Sequence, residues 1–440
     1  MLSDIAQENR LFSKKSYLDT LTFPSKIIAR QDKAKELVRL FLGYKQELVV
    51  PFVSVYGRSG SGKSTIVRFV CENLDDISYS FVNLRKAKTV FGCANLILAE
   101  LGQPNLKSAQ GINTALETIS SSIESVLEQD GNKLFVLVLD EFDVLFNDAR
   151  GKPSDFVYNL VVMEERLREK GHLVCVVAIS NNAMSDYELD DRVRSRIGSS
   201  EVFFGAYSKK DVLAIIKDRA QKAFSDKIDP AVIQYCAEYS SAEHGDARRA
   251  IDLLRVAAEL ASLKGEKKIS KSHVDLANEE LQKDRVVKII SAASYHLRLG
   301  CAALIRITFL SGEVWHSTSI IYKQYCKIIA KDVKPLSYRR VSELLTELQN
   351  SGLALSQTSS KGRHGYGTQY KLTVSPEIIG QSCFSEWWDD LVKQRAGHEA
   401  TLRSSESQKP LMKKSQFGFA LSKQLEVSAK QSWDSYVGLD

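Results

Sequence analysis

The stretch that decides the fold runs Val53-Ser54-Val55-Tyr56-Gly57-Arg58-Ser59-Gly60-Ser61-Gly62-Lys63-Ser64-Thr65. An apolar run of strand length ends in the pattern G-x-x-x-x-G-K-S. The periodicity then turns helical over Lys63–Glu72. Each residue type has a physical reason to be there. Glycines allow the backbone N–H groups of Gly57, Arg58, Ser59, Gly60, Ser61 and Gly62 to turn inward around phosphate oxygens, and the following helix N-terminus adds positive potential. Lys63 is placed to reach the outer phosphates of a nucleoside triphosphate, and the Ser64 hydroxyl to join a Mg²⁺ shell. Thr65 lies next in line on the same helix turn and is included among the nucleotide contacts.

Outward from this loop, short apolar runs alternate with helical patterns. Val53–Tyr56, Tyr79–Asn83, Leu134–Leu139, Leu173–Ile179 and Glu201–Phe204 read as strands; Lys63–Glu72, Ala94–Leu101, Ile112–Glu128 and Phe156–Lys170 read as helices. Such alternation predicts an α/β parallel-sheet core with crossover helices. The third strand ends in Leu137-Val138-Leu139-Asp140-Glu141, two carboxylates delivered at the end of a buried strand. Asp140 suits the Mg²⁺ shell and Glu141 the group that polarises an attacking water. The fourth ends in Ala178-Ile179-Ser180-Asn181-Asn182, where the Asn181 amide is a candidate partner for a γ-phosphate or the lytic water, or a cap for the next turn. The cluster Arg192-Val193-Arg194-Ser195-Arg196 either lies in solvent or presents Arg192 or Arg196 to a neighbouring subunit's phosphate. Gly245-Asp246-Ala247-Arg248 opens a long helix with an N-cap signal, from which Arg248 could swing over bound phosphates.

Four further boundaries follow. Residues 1–24 read as an N-terminal arm, 25–206 as the nucleotide-binding core, and 207–284 as an all-α unit with helices at Lys209–Phe224, Pro230–Ser240, Asp246–Leu263 and Lys271–Gln282. Within 285–395, helices at Val286–Leu297, Ala302–Ser311, Ser317–Ala330 and Tyr338–Gln349 precede two strands, Leu353–Thr358 and Thr368–Val374, around a basic Gly-rich tip. Helices followed by a basic hairpin predict a winged helix-turn-helix. Val341, Leu344, Leu345 and Leu348 share one face of Tyr338–Gln349, leaving Tyr338, Arg339 and Arg340 outward at the end that reaches base edges. At the hairpin tip, Lys361, Arg363 and Tyr366 are candidate contacts to phosphates or the minor groove. Residues 396–440, rich in Ser, Lys, Gln and Glu, read as a flexible tail, with a candidate short partner-binding motif around Gln416–Leu421.

Composition bounds the rest. The 440 residues are 44% hydrophobic and 26% charged, which excludes extensive disorder and predicts several domains. No apolar run approaches the about 20 residues of a membrane helix, and MLSDIAQENR has no secretory core, so a cytoplasmic, nucleoid-associated protein without membrane partners is expected. The seven scattered cysteines lack any C-x-x-C pair, against both a disulfide framework and a zinc site. The net charge of +6 is carried by Tyr322–Lys371, with nine Lys/Arg against three acids, an electrostatic footprint for a polyanion.

Taken together these elements resemble an AAA+ ATPase. The runs Phe142-Asp143-Val144-Leu145, Asp191–Ile197, Gly245–Glu259 (GDARRAIDLLRVAAE) and Lys334–Leu353 (KPLSYRRVSELLTELQNSGL) resemble the archaeal replication-initiator family, relatives of the eukaryotic origin recognition complex and the cell-division-control loading factor. The resemblance covers about Pro24 to Arg395. It implies ATP/ADP and Mg²⁺ as cofactors, Asn181 as the γ-phosphate-sensing residue, Arg248 as the lid arginine, and Ile28–Arg30, with Tyr207 and Arg219, around the nucleotide. It places the intersubunit arginine at Arg192 or Arg196 and a DNA-touching insertion at Lys86–Leu106. Asn182 stands where an acidic residue commonly follows the sensor. The function implied is an ATP-dependent initiator that binds double-stranded origin DNA, recruits the replicative helicase and works with other copies or paralogues, hydrolysing ATP as a slow switch. A nucleotide-sensing winged-helix transcription regulator uses the same parts and is the alternative at this level.

Overall fold

In the computed structural model, residues 11–20, 22–24, 26–46, 50–197, 200–242, 245–331, 333–360 and 366–407 are described. The chain divides into two compact units, one up to Asp275 and one from Leu276.

The first unit is built on five parallel strands, β1 (Phe52–Gly57), β2 (Ile77–Asn83), β3 (Leu134–Asp140), β4 (Leu173–Ser180) and β5 (Glu201–Phe204), in the order β2-β3-β4-β1-β5. Every expected strand is present; all but β5 are a residue or more longer. The apolar runs are continuous because both faces are covered. Alternate residues feed two cores: Phe135, Leu137 and Leu139 pack with α3 (Val90–Glu100), α4 (Gly111–Asp130) and α5 (Pro153–Arg168), whereas Leu134, Val136 and Val138 pack with α1 (Gln31–Leu42) and α2 (Lys63–Glu72). The register pairs Tyr56 with Ser180, Asp140 with Ile179, and Asn83 with Asp140. The carboxyl ends of β1, β3 and β4 are therefore level, the place where open α/β sheets bind ligands.

A short helix α6 (Asp191–Ile197) precedes β5, and the helices α7 (Lys209–Ala223), α8 (Pro230–Ala242) and α9 (Ala247–Leu263) form the lid. Ser208 and Asp211 make a reciprocal capping box at the start of α7. The arm is bound rather than loose over its described part. Leu18 is fully buried, Phe12 stacks on Phe224 at 5.2 Å, and the Arg219 guanidinium donates to the carbonyls of Tyr17 (3.1 Å) and Thr22 (2.7 Å). Arg68 lies over the rings of Phe23 (4.5 Å) and Phe81 (4.1 Å), fixing the arm's other end to the core.

The helices expected at Lys271–Gln282 and Val286–Leu297 are one helix, α10 (Lys271–Ala292). The break comes later, where Ser294 accepts from the Leu297 N–H and caps α11 (Tyr295–Ser311). In the second unit α11 is followed by β6 (His316–Ser317), α12 (Thr318–Ile328), α13 (Tyr338–Asn350), β7 (Ala354–Ser360) and β8 (Tyr366–Leu372), the strands forming an antiparallel sheet ordered β6-β8-β7. Helices α14 (Pro376–Cys383) and α15 (Ser385–Ser407) complete it. Helix therefore extends into what the sequence suggests is tail. Trp388 and Leu391 of α15 are buried in the unit's core, and this packing stabilises that helix. Gln416–Leu421 lies outside the described residues. Among the described residues, no helix is long and apolar enough to cross a membrane.

Candidate nucleotide cleft and nucleic-acid surface

The loop after β1 folds back so that the Lys63 ammonium donates to the carbonyls of Gly57 (2.6 Å) and Arg58 (3.0 Å) and to the Asn181 Oδ1 (3.3 Å). Burial holds Lys63 below the ordinary lysine value, Asp140 pulling the other way. Gly60 and Gly62 adopt positive φ of 75° and 92° and stand where the lid closes on the loop. A Cβ on Gly60 would collide with the Asp246 carboxylate, and one on Gly62 with the Tyr207 hydroxyl. No side chain caps α2 at Gly62, so its first N–H groups face the cleft without an intrahelical partner.

Opposite, the Ser64 hydroxyl donates to the Asp140 Oδ1 at 3.1 Å. Burial pushes the Asp140 carboxyl above the usual range, opposed by that bond, by the Glu141 N–H at 3.0 Å and by Lys63. A hydroxyl and a carboxylate oxygen held together at a helix N-terminus are hard oxygen donors of the kind a divalent cation takes, so Ser64 and Asp140 are the residues that would hold Mg²⁺. Glu141 has a left-handed backbone (φ 57°), which costs a non-glycine residue about 1–3 kcal/mol, and it lines the cleft.

One polar cavity is lined by Ser59–Ser64, Asp140, Glu141, Asp143, Asn181 and Arg248. It shares Gly60, Gly62 and Arg248 with a more apolar cavity lined by Pro24, Ile28, Thr65, Tyr207, Arg219 and Ile251 among others. Phosphates at the first and a base at the second match this division. The Arg248 side chain is exposed between them with no hydrogen-bond partner among the described residues, while the Arg248 backbone N–H donates to the capping Asp246 Oδ1 at 2.8 Å.

Other expected residues lie differently. Arg30 is absent from both linings; its guanidinium donates to the Gly205 carbonyl and lies 4.5 Å from the centre of the Tyr207 ring, bracing that tyrosine. Gly57 and the exposed Arg58 contribute their carbonyls to Lys63. Arg219 borders the base end but spends its donors on the arm. Arg192 and Arg196 are outside the cleft on α6, both near the Tyr158 ring, Arg192 paired with Asp190 (3.2 Å) and Arg196 with Glu165.

On the second unit, Ser337 caps α13 and leaves Tyr338, Arg339 and Arg340 exposed. Arg340 pairs with Glu343 at 2.6 Å and Arg339 with the same carboxylate at 3.5 Å, so both cations are held side by side on one face. Tyr338 meets Tyr322 edge to face at 5.4 Å. Lys361 and Arg363 lie outside the described residues, as does the side chain of Tyr366.

The chain matches three domain families: an AAA domain over residues 51–186, the Cdc6 AAA+ ATPase-type lid domain over 213–279, and the CDC6 C-terminal winged helix domain over 288–382. It is 30% identical over 382 residues to an ORC1-type DNA replication protein of Thermococcus kodakarensis, covering 84% of this chain and 90% of that relative. It is also 30% identical to ORC1-type DNA replication protein 1 of Sulfurisphaera tokodaii, covering 86% and 94%. The chain belongs to the ORC1-type DNA replication protein family. Among solved structures, the Aeropyrum pernix ORC1 protein in complex with DNA is similar with a TM-score of 0.69 and 26% identity, covering 85% of this chain and 96% of that one. Membership in the ORC1-type family settles the fold class as an AAA+ core with all-α lid and winged helix.

Residues to which the sequence assigned no role in the site also border this ORC1-type cleft: Asp143 in the polar cavity, and Lys26, Ile27, Ile215 and Ile251 in the more apolar one. Asp143 had a local signal, falling three residues after Asp140, but its partners are far along the chain.

Proposed function

We propose that this protein is an ATP-dependent DNA replication initiator, binding origin duplex through its winged helix and helping to recruit the replicative helicase. The observation that carries it is the convergence of Lys63, Ser64, Asp140, Glu141 and Asn181 from the core, and Arg248 from the lid, on one cleft. Lys63 and the loop N–H groups hold the outer phosphates, Glu141 orients and accepts a proton from the attacking water, and Arg248 joins the lid to the phosphates. Ser64 and Asp140 would hold Mg²⁺, which would supply positive charge against the negative charge developing on the phosphates. Because lid and core share the nucleotide, its hydrolysis changes what holds them together, which suits a slow switch more than a motor. Arg192 or Arg196, outside its own cleft and ion-paired there with Asp190 or Glu165, would exchange that pair for a neighbouring copy's nucleotide. Arg339 and Arg340 supply base-edge contacts, with Lys361, Arg363 and Tyr366 at the hairpin tip toward phosphates or the minor groove. Chromatin immunoprecipitation read beside replication-origin mapping tests the proposal: peaks at replication start sites are expected. Peaks confined to promoters would replace the initiator with a regulator.

A further inference from the structure

Asn181, the residue directly after β4, lines the phosphate end beside Ser180, and its amide has two chemically opposite ends. Which end faces the cleft decides what it can hold. Asp143, in the turn Phe142–Asn147 after the acidic pair, settles that. Its Oδ2 accepts from the Asn181 Nδ2 at 3.3 Å, and the same carboxylate accepts from the Asn181 backbone N–H at 3.2 and 3.3 Å. At the other end, the Asn181 Oδ1 accepts from the Lys63 ammonium at 3.3 Å. A carboxylate on one side and an ammonium on the other admit only one orientation of the amide. The carbonyl oxygen is therefore the end turned toward Lys63 and the phosphate-binding loop, and the amide nitrogen is taken by Asp143.

Asp143 is itself held. The Tyr187 hydroxyl donates to its Oδ1, and the Tyr187 ring is buried and stacked on Phe146 with centroids 4.2 Å apart and an interplanar angle of 14°. Burial, followed by the bond to Asp143, pushes the Tyr187 phenol up, so it stays a protonated donor at any physiological pH. The chain of contacts runs from a fixed aromatic, through Asp143, to Asn181, and all but Tyr187 border the cavity that Glu141 borders.

We propose that Asp143 is a positioning residue for ATP hydrolysis: it takes the Asn181 Nδ2 so that the Asn181 Oδ1 presents an acceptor to the attacking water, and Tyr187 fixes Asp143 in turn. A phosphate oxygen carries no proton to donate to that carbonyl, whereas a water molecule does. With one O–H held by Asn181 and the other by Glu141, the water oxygen bonds to the terminal phosphorus as the bridging P–O bond breaks. The electron pair of that bond leaves with ADP, and the proton passes to Glu141. The inference rests on the ATPase reading of the cleft and deepens it.

The test compares full-length wild type with Asn181→Ala, Asp143→Asn, Asp143→Ala, the double variant Asp143→Ala/Asn181→Ala, and Glu141→Gln. Steady-state hydrolysis and equilibrium binding of fluorescent ATP are measured for each. Asp143→Asn keeps the shape of the turn but places an amide where both neighbours donate. The expected result is a kcat lowered about 10-fold or more in the Asp143 and Asn181 single variants, as supporting residues around a reactive site commonly give. ATP affinity stays within about twofold, and the double variant hydrolyses no more slowly than Asn181→Ala alone, because the two act as one unit. If Asp143→Ala does not fold, Asp143→Asn and Tyr187→Phe carry the comparison, with Tyr187→Phe giving the smaller loss. A wild-type kcat in Asp143→Asn, or losses that multiply in the double variant, overturns the proposal while an inactive Glu141→Gln leaves the ATPase reading standing. A Glu141→Gln rate equal to wild type removes that reading, and this proposal with it.

Discussion

Lys63 and Glu141 face the same cavity but are asked for different things, and substitution separates them. Lys63→Ala removes the only ammonium among the described residues lining the phosphate end, so ATP affinity measured by equilibrium binding falls at least tenfold, about 1.4 kcal/mol. Glu141→Gln keeps the shape and the donors of the cleft, so it binds ATP as wild type does and fails to turn it over; normal turnover would remove the assignment. Asp140 carries a cost of its own. Its carboxyl is raised by burial in the folded protein, so between the unfolded and folded values the native state binds more protons, and stability falls as pH rises through that window. Asp140→Asn cannot ionise. In the absence of nucleotide, its melting temperature relative to wild type therefore climbs from near pH 4 toward neutrality, while Mg²⁺-dependent hydrolysis is lost. A difference that does not change with pH would contradict this.

Element by element, the legible parts were those whose chemistry is written in short spacing. The loop Gly57–Ser64 and the strand ending at Asp140-Glu141 announce themselves because glycines, an ammonium and paired carboxylates at the end of an apolar run have few structural uses. The orientation of Asn181 was not legible, since Asp143 lies 38 residues away and meets it only through the β3–β4 register. The arm was also hidden: its polar composition suggests solvent, yet Leu18 is fully buried and Arg219 on α7 ties down the carbonyls of Tyr17 and Thr22. No glycine or proline breaks Gln282–Val286, but its polarity resembles a linker, which is why α10 looked like two helices. Arg219→Ala leaves those two arm carbonyls without their donors and is expected to destabilise the protein by about 1–3 kcal/mol, read by chemical denaturation. On α13, Arg339→Ala or Arg340→Ala should weaken binding to origin duplex by about 1–3 kcal/mol if they reach bases, and unchanged affinity in both would remove α13 as the reading helix.

At the scale of the whole molecule, one chain carries a nucleotide cleft closed by its own lid and a winged helix, and the proposed function requires that they communicate. Thermodynamic coupling between two ligands is reciprocal: whatever ATP does to DNA affinity, DNA does to ATP affinity. Coupling of about 1–3 kcal/mol corresponds to roughly 5–150-fold, well within reach of a binding titration. The decisive measurement is therefore the affinity of the full-length protein for origin duplex, taken at one salt concentration with ATP and with ADP, using Glu141→Gln to keep the ATP intact. The account predicts affinities that differ at least about fivefold between the two nucleotides, with the same factor recovered when nucleotide binding is titrated in the presence of DNA. Equal affinities in ATP and ADP would contradict it, leaving a DNA-binding protein whose nucleotide site does not act as a switch.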